Sequence, residues 1–387
     1  MQTLISDLSI LLVAAAILSY LAIILKQPII IAYIICGIII GPGGLGLIKG
    51  FDFIEIISHL GITLLLFLAG LCLHPQKLIG LFKKTSLITF ANCTVSFLVA
   101  FIFSLLFKFN FVDSVCIGLA LMFSSTILVV KLLPTTRLHH ERMGAICISI
   151  LILQDLLAIA VLALVRSFSL SGVLLIQFLF LVIKLIAFIL ILILVEQFIL
   201  RKIMYRIERL HEALFILGLA WCFGIASISN QMGLFYETGA FFAGVALARH
   251  KISLFISESL KPLRDFFLVL FFFTLGARLD FFVLKNVWLP AFLLAIIFIV
   301  FKPWLFKVLF IWAKEKPAFS QELGIRLGQL SEFSLLVAIL AFQLEHISSS
   351  ASQLIQLVTI FTFIMSSYIV VLKYPTPIGT SEQLIRD

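Results

Sequence analysis

Asp155 stands in the run Ile148-Ser149-Ile150-Leu151-Ile152-Leu153-Gln154-Asp155-Leu156-Leu157, where its neighbours are apolar save Gln154 and Ser149. Desolvation disfavours the charged form of an acid in such surroundings. The group can hold a proton, or a small cation stripped of part of its water, and not both. That exclusivity is the chemical requirement for exchanging one positive species for another. The bland alternative is an acid that only pairs with a neighbouring helix. Lys302, in Ile299-Val300-Phe301-Lys302-Pro303-Trp304, sets an opposite charge inside another apolar run. Its ammonium needs a partner, and Asp155 is the first candidate because few other carboxylates lie so deep. Pairing with Glu332, or a side chain that reaches out to the interface, are the alternatives.

Ser124, Ser125 and Thr126 supply three consecutive hydroxyls within an apolar stretch. Where a helix unwinds, such oxygens and the freed carbonyls are hard cation ligands. In most membrane helices they bond back to a carbonyl or pack against a neighbour, and the residues alone favour that second reading. Glu332, flanked by Ser331 and Ser334, is placed to neutralise helix ends at a crossing of two broken helices. The run Gly41-Pro42-Gly43-Gly44 reads as a turn that ends a span. His139, His140 and His346 fall in gaps and are expected to be solvated, Glu237 to be interfacial, and Lys184 to be structural.

The elements that must position these groups are membrane spans. The chain has 387 residues, 63% hydrophobic and only 12% charged, with mean hydropathy +1.24. Soluble domains carry about a quarter charged residues, and 40 Phe with 19 acids do not fit inside one water-soluble shell. A net charge of +9 invites a nucleic-acid reading, which would need a basic face on a soluble domain. The Lys and Arg residues instead sit in short gaps between apolar runs. Six cysteines, none in a C-x-x-C pair, argue against a disulfide framework or a zinc site. The N-terminal stretch lacks a basic n-region and a small-residue cleavage site, so it reads as a first span.

At about 20 apolar residues per span, the chain divides into about thirteen, with approximate limits 3–25, 28–48, 54–73, 85–107, 111–133, 144–165, 171–200, 212–229, 232–248, 262–280, 287–313, 321–344 and 352–373. Gaps on one side hold most of the 28 basic residues, among them Lys83, Lys84, Arg201, Lys202, Arg264 and Arg326. The other side holds only Lys49, Lys108, Arg166, Arg278 and Lys285. This asymmetry puts the N-terminus outside and the C-terminus in the cytoplasm. An odd span count suits two inverted six-helix halves joined by the 171–200 segment, an arrangement of secondary transporters.

Seven segments carry a family resemblance: GIIIGPGGLGLI (37–48), LGITLLLFLAGLCLHPQKL (60–78), ALMFSSTILVVK (120–131), LILQDLLAIAVLAL (151–164), GAFFAGVALA (239–248), FFFTLGARLDF (271–281) and LGQLSEFSLLV (327–337). Together they resemble the monovalent cation:proton antiporter-2 family, and within it the membrane part of Kef-type glutathione-gated potassium efflux systems. The resemblance implies an all-α membrane protein of the sodium/proton-antiporter type, in the bacterial inner membrane. It implies a homodimer with a scaffold part (1–84 and 171–285) and a mobile core (85–170 and 286–373). It further implies that the fifth and twelfth helices cross, partly unwound, beside an ion-binding Asp155 assisted by Gln154, Ser124, Ser125 and Thr126. Lys302 falls where the family has a lysine near that acid, with Glu332 as supporting charge. Gln154 stands where electrogenic relatives have a second acid, which leans toward one proton per cation.

Two departures accompany the match. The third span reads Gly70-Leu71-Cys72-Leu73-His74 where the family usually has G-L-E-L-D, so an acidic contact is absent. The tail, 374–387, carries no glycine-rich nucleotide-binding fingerprint. The antiporter is expected to stand alone, or to take its regulation from a separate subunit or cytoplasmic domain. The expected activity is proton-coupled exchange of K⁺ or Na⁺, with no cofactor and no nucleic acid. A cation channel or K⁺ efflux pathway of the same fold is the alternative, but no T-V-G-Y-G filter is present. An enzyme is disfavoured because no H-E-x-x-H or G-x-S-x-G accompanies the buried charges.

Overall fold

The computed structural model describes residues 2–25, 27–48, 51–71, 75–133, 142–167, 174–207, 210–234, 236–248, 250, 252–279 and 281–376. Cys72, His74, His139, His140, the segment 377–387 and several loop charges (Lys26, Lys49, Arg137, Arg209, Arg249, Lys251) lie outside the described residues. Among those described there is no strand. That is the outcome hydrocarbon imposes, since a helix satisfies its backbone polar groups within one segment.

The chain opens with α1 (Gln2–Ile24) and α2 (Ile29–Ile40). Pro28 separates them, at a helix start where its missing N–H is not needed. Gly41 closes α2, its N–H 2.9 Å from the Gly37 carbonyl. Next come α3 (Phe51–Leu71), α4 (Pro75–Leu106), α5 (Phe111–Leu121), α6 (Thr126–Leu132) and α7 (Arg142–Ser167). Then α8 (Leu174–Val195) passes through a π-helical turn, Glu196–Leu200, into α9 (Arg201–Ile207). The remainder is α10 (His211–Gln231), α11 (Tyr236–Leu247), α12 (Ile252–Ala277), α13 (Phe281–Trp312), α14 (Pro317–Arg326), α15 (Glu332–Gln343) and α16 (Ser349–Lys373).

Eight helical stretches among the described residues are long and apolar enough to cross a bilayer. Several expected spans appear in different forms, including one of these eight. The stretch Ile29–Ile40 is a helix of only 12 residues, and α12 carries Glu258, Lys261, Arg264 and Asp265. The expected twelfth span, 321–344, is interrupted: α14 ends at Arg326 and α15 begins at Glu332. The expected fifth, 111–133, is interrupted between Leu121 and Thr126.

The chain divides into two compact units. One comprises Met1–Leu12, Leu47–Ile79 and Leu170–Thr274. Within it, α3 and α11 touch backbone to backbone. A Cβ added at Gly244 would lie 2.1 Å from the Phe67 carbonyl oxygen, and one at Gly70 2.3 Å from that of Phe241. Small residues permit this approach where lipid removes the hydrophobic drive for helices to associate. Trp221 fixes α10 on α11 by donating its indole N–H to the Ala243 carbonyl at 3.1 Å.

The other unit comprises Val13–Gly46, Gly80–Ser169 and Leu275–Asp387. Here α13 meets α14 where the Pro303 carbonyl would be 2.4 Å from a Cβ at Gly324. At the far end of α5, Asn110 caps the helix, its side chain accepting the Asp113 N–H at 2.7 Å. The buried Asp113 carboxylate in turn accepts the N–H and hydroxyl of Ser348 at 2.9 and 2.8 Å. Ser348 is the N-cap of α16, so one acid ties the start of α5 to the start of α16. Replacing Asp113 by Ala strands the Ser348 donors. It should destabilise the protein by about 2 kcal/mol, read as a lower thermal unfolding midpoint in detergent, with Asp113→Asn losing less.

Candidate ion-binding site

The two interruptions of the second unit face each other, and serines set where each helix resumes. Ser125 has an extended backbone (φ −74°, ψ 121°), and its hydroxyl accepts the Leu128 N–H at 3.0 Å to cap α6. Ser331 (φ −109°, ψ 152°) does the same for α15, accepting the Phe333 N–H at 3.1 Å. Serine favours this position because its oxygen replaces the carbonyl that the first helical N–H lacks. Between the breaks, the Ser124 hydroxyl donates to the Leu327 carbonyl at 2.8 Å. Ser334 donates to the Ala120 carbonyl at 2.6 Å. Each broken element therefore satisfies carbonyls freed by the other.

Charge completes this compensation. A helix carries partial positive charge at its N-terminus and partial negative charge at its C-terminus. Glu332, in the first turn of α15, accepts the Ile127 N–H of α6 at 3.3 Å, so one carboxylate serves two helix N-termini. Lys302 serves the opposite pole, donating to the Phe123 carbonyl just beyond α5. The residue after it, Pro303, packs against Gly324 and Gly328 of the α14 end, holding Lys302 at the break.

Asp155 lies on α7 and is 5% exposed. Its two oxygens are 3.2 and 3.1 Å from the Thr126 hydroxyl. Gln154 accepts the Ser124 N–H at 3.0 Å, and its amide nitrogen lies 3.7 Å from the Cys93 sulfur. The structure thus brings Asp155 onto Thr126 and Gln154 onto Ser124, and it commits Ser125 to capping.

The expected pairing of Lys302 with Asp155 is not formed. Lys302 is fully buried, so it does not reach the interface, and its hydrogen bond goes to Phe123 rather than to Asp155 or Glu332. The carbonyl end of a half-helix offers an ammonium a partner without using a carboxylate. Arg326, counted above as a loop charge, is also buried. It donates to Glu322, to the Leu132 carbonyl and to the Pro375 carbonyl, each at 3.0 Å. Charge counting along the chain could not detect these acceptors, because two of the three are backbone carbonyls. Cys93 was legible only as a thiol in an apolar run. Lys184 has its ammonium 4.8 Å from the Phe180 ring centroid.

A site of this kind offers oxygen ligands: the Asp155 carboxylate, the Thr126 hydroxyl and carbonyls of the interrupted backbone. Among the described residues no three His, Cys, Asp or Glu side chains converge as a metal cluster.

Comparison with known proteins establishes the family. The family model described as the transmembrane sodium/hydrogen exchanger matches residues 10–372. The iron transporter MagA of Paramagnetospirillum magneticum is 27% identical over 350 residues, 89% of this chain and 80% of that protein. The glutathione-regulated potassium-efflux system protein KefC of Klebsiella pneumoniae is 28% identical over 336 residues, 84% of this chain and 53% of that protein. The chain therefore spans about half the length of the KefC relatives it matches. In fold it is similar to the sodium proton antiporter MjNhaP1 of Methanocaldococcus jannaschii, with a TM-score of 0.73 at 19% identity, covering 95% of this chain and 96% of that one. The resemblance to Kef-type proteins holds, and the chain belongs to the transmembrane sodium/hydrogen exchanger family.

Proposed function

We propose that the protein exchanges a monovalent cation, K⁺ or Na⁺, for protons by alternating access, with Asp155 as the group both must use. One observation carries this reading: Asp155 is buried against Thr126 at a broken helix while the ammonium of Lys302 is committed to a backbone carbonyl. A buried carboxylate without a fixed counter-charge has two ways to become neutral: it takes up a proton or it binds a cation. Potassium efflux and sodium/proton antiport, named for relatives, both fit that alternation.

In this reading the Thr126 hydroxyl and carbonyls freed near Ser124 and Phe123 replace part of the cation's water. Gln154 positions Ser124 and adds no second titrating acid beside Asp155, which supports one proton per cation. Glu332 and Lys302 supply the acceptor and the donor that stabilise the break. The unit containing α5, α6, α7, α14 and α15 is the mobile core of a thirteen-span, inverted-repeat protein. The scaffold part forms a homodimer in a bacterial inner membrane, with the N-terminus outside and the C-terminus in the cytoplasm.

Two measurements test this. In proteoliposomes with an enclosed pH-sensitive dye, Asp155→Asn should reduce cation-driven proton flux by about 100-fold or more, the scale of removing an essential group. An Asp155→Asn protein that still exchanged cation for proton would end the proposal. Lys302→Met should leave the Phe123 carbonyl buried without its charged donor. It should cost roughly 2 kcal/mol, seen as a lower unfolding midpoint, whereas Lys302→Arg should retain part of the stability.

A further inference from the structure

The helix α6 carries Thr126, the residue that touches Asp155, and has only 7 residues, about 10 Å of helix. Two turns make too few internal hydrogen bonds to hold themselves, so the placement of α6 depends on what grips its flank and its ends. The flank packs on α7: Val129 and Leu133 share one buried cluster with Cys147 and Leu151. Cys147, Leu151 and Asp155 recur at i, i+4 and i+8, so this seam follows one face of α7 up to the Thr126 contact.

The ends are gripped by two consecutive residues of the other interrupted element. The Leu327 carbonyl accepts the Ser124 hydroxyl at 2.8 Å, just before α6 begins. Arg326, the last residue of α14, reaches the opposite end and donates to the Leu132 carbonyl at 3.0 Å. Leu132 closes α6, where carbonyls lack an intrahelical donor and the helix dipole favours a cation. The other bonds of the guanidinium go to Glu322, one turn back on α14, and to the Pro375 carbonyl, each at 3.0 Å. Its central carbon lies 5.5 Å from the Tyr374 ring centroid. Tyr374 and Pro375 are the residues by which the chain leaves α16. One buried side chain thus joins the end of α6, the end of α14 and the exit from α16.

We propose that Arg326 is a positioning residue for ion binding: it holds the end of α6 so that Thr126 stays on Asp155, and it makes the segment leaving α16 part of the same clamp. A displacement of residues 374–376 draws the guanidinium off the Leu132 carbonyl and loosens the hydroxyl that the ion uses. The planar fork lets one side chain serve acceptors on three elements, which a lysine ammonium does not reproduce. This rests on the cation-exchange reading above.

The test measures cation-dependent proton flux of the full chain in proteoliposomes, with K⁺ and with Na⁺, alongside thermal unfolding in detergent. Arg326→Lys keeps the charge and loses the fork. Its half-saturating cation concentration should rise about tenfold, the scale of one hydrogen bond to a charged group, with a smaller change in maximal rate. Tyr374→Ala, at a partly buried position, should raise it about threefold through loss of the ring beside the guanidinium. The double variant should fall short of the product of the two shifts, because both act on one group. Asp113→Ala, which loosens the far end of α5, should lower the unfolding midpoint and leave half-saturation unmoved. With Asp155-dependent exchange intact, unchanged half-saturation in Arg326→Lys overturns this inference alone. So does an equal rise in Asp113→Ala, which would reduce the effect to general loosening. Should Arg326→Lys not fold, unchanged half-saturation in Tyr374→Ala overturns it, as do fully multiplicative shifts in the double variant. Absence of Asp155-dependent exchange in the unaltered chain overturns the underlying reading and this inference with it.

Discussion

A helix that stops inside hydrocarbon exposes backbone N–H and C=O groups that have no water to bond. The second unit contains two such stops, and its chemistry depends on how they are compensated. Ser124 and Ser334 carry hydrogen bonds from one broken element to carbonyls of the other. Glu332 accepts at the N-terminus of α6 from a position in the first turn of α15. Lys302 donates where α5 has ended. These contacts, with the Ser124 N–H bonded to Gln154 and the Leu330 N–H to Thr362, satisfy backbone groups that a continuous helix would bond internally.

The allocation of Lys302 has a consequence for Asp155. Two buried opposite charges close to each other usually neutralise one another, and the pair then resists any third ion. Here the ammonium spends its hydrogen bond on Phe123, while among the described residues the carboxylate's hydrogen-bond partner is a neutral hydroxyl, that of Thr126. Helix-end electrostatics therefore supports a carboxylate that is available to exchangeable partners. The Pro303 contacts with Gly324 and Gly328 make that arrangement specific, because a side chain at either glycine would displace the turn that follows Lys302.

Much of this was legible in the residues. An acid among Ile and Leu draws attention to Asp155 without any structure, whereas the hydroxyls of 124–126 alone favoured bonding back within a helix, and the break there was expected from the family resemblance. Glu332, flanked by Ser331 and Ser334, could be read as placed to neutralise helix ends, but the second break itself came from the resemblance, since the hydropathy alone gives a continuous span over 321–344. The partner of Lys302 was not legible, because a sequence displays side chains and the acceptor is the Phe123 carbonyl. Arg326 was misread on the same ground: it looks like a loop charge by position, yet it bonds to the carbonyls of Leu132 and Pro375. The span count blurs where length and polarity compete. The helix Ile29–Ile40 is strongly apolar but short, and α12 is long but carries charged residues near its middle.

The most direct measurement of the central claim is proton release from purified protein in weakly buffered detergent when K⁺ or Na⁺ is added. Competition for one carboxylate predicts saturable release approaching about one proton per cation bound, with the apparent cation affinity weakening as pH falls, since the two ligands must oppose each other reciprocally. Release should vanish when Asp155 is replaced by Asn. Cation binding that liberates no proton, or release that persists after that replacement, would contradict the account.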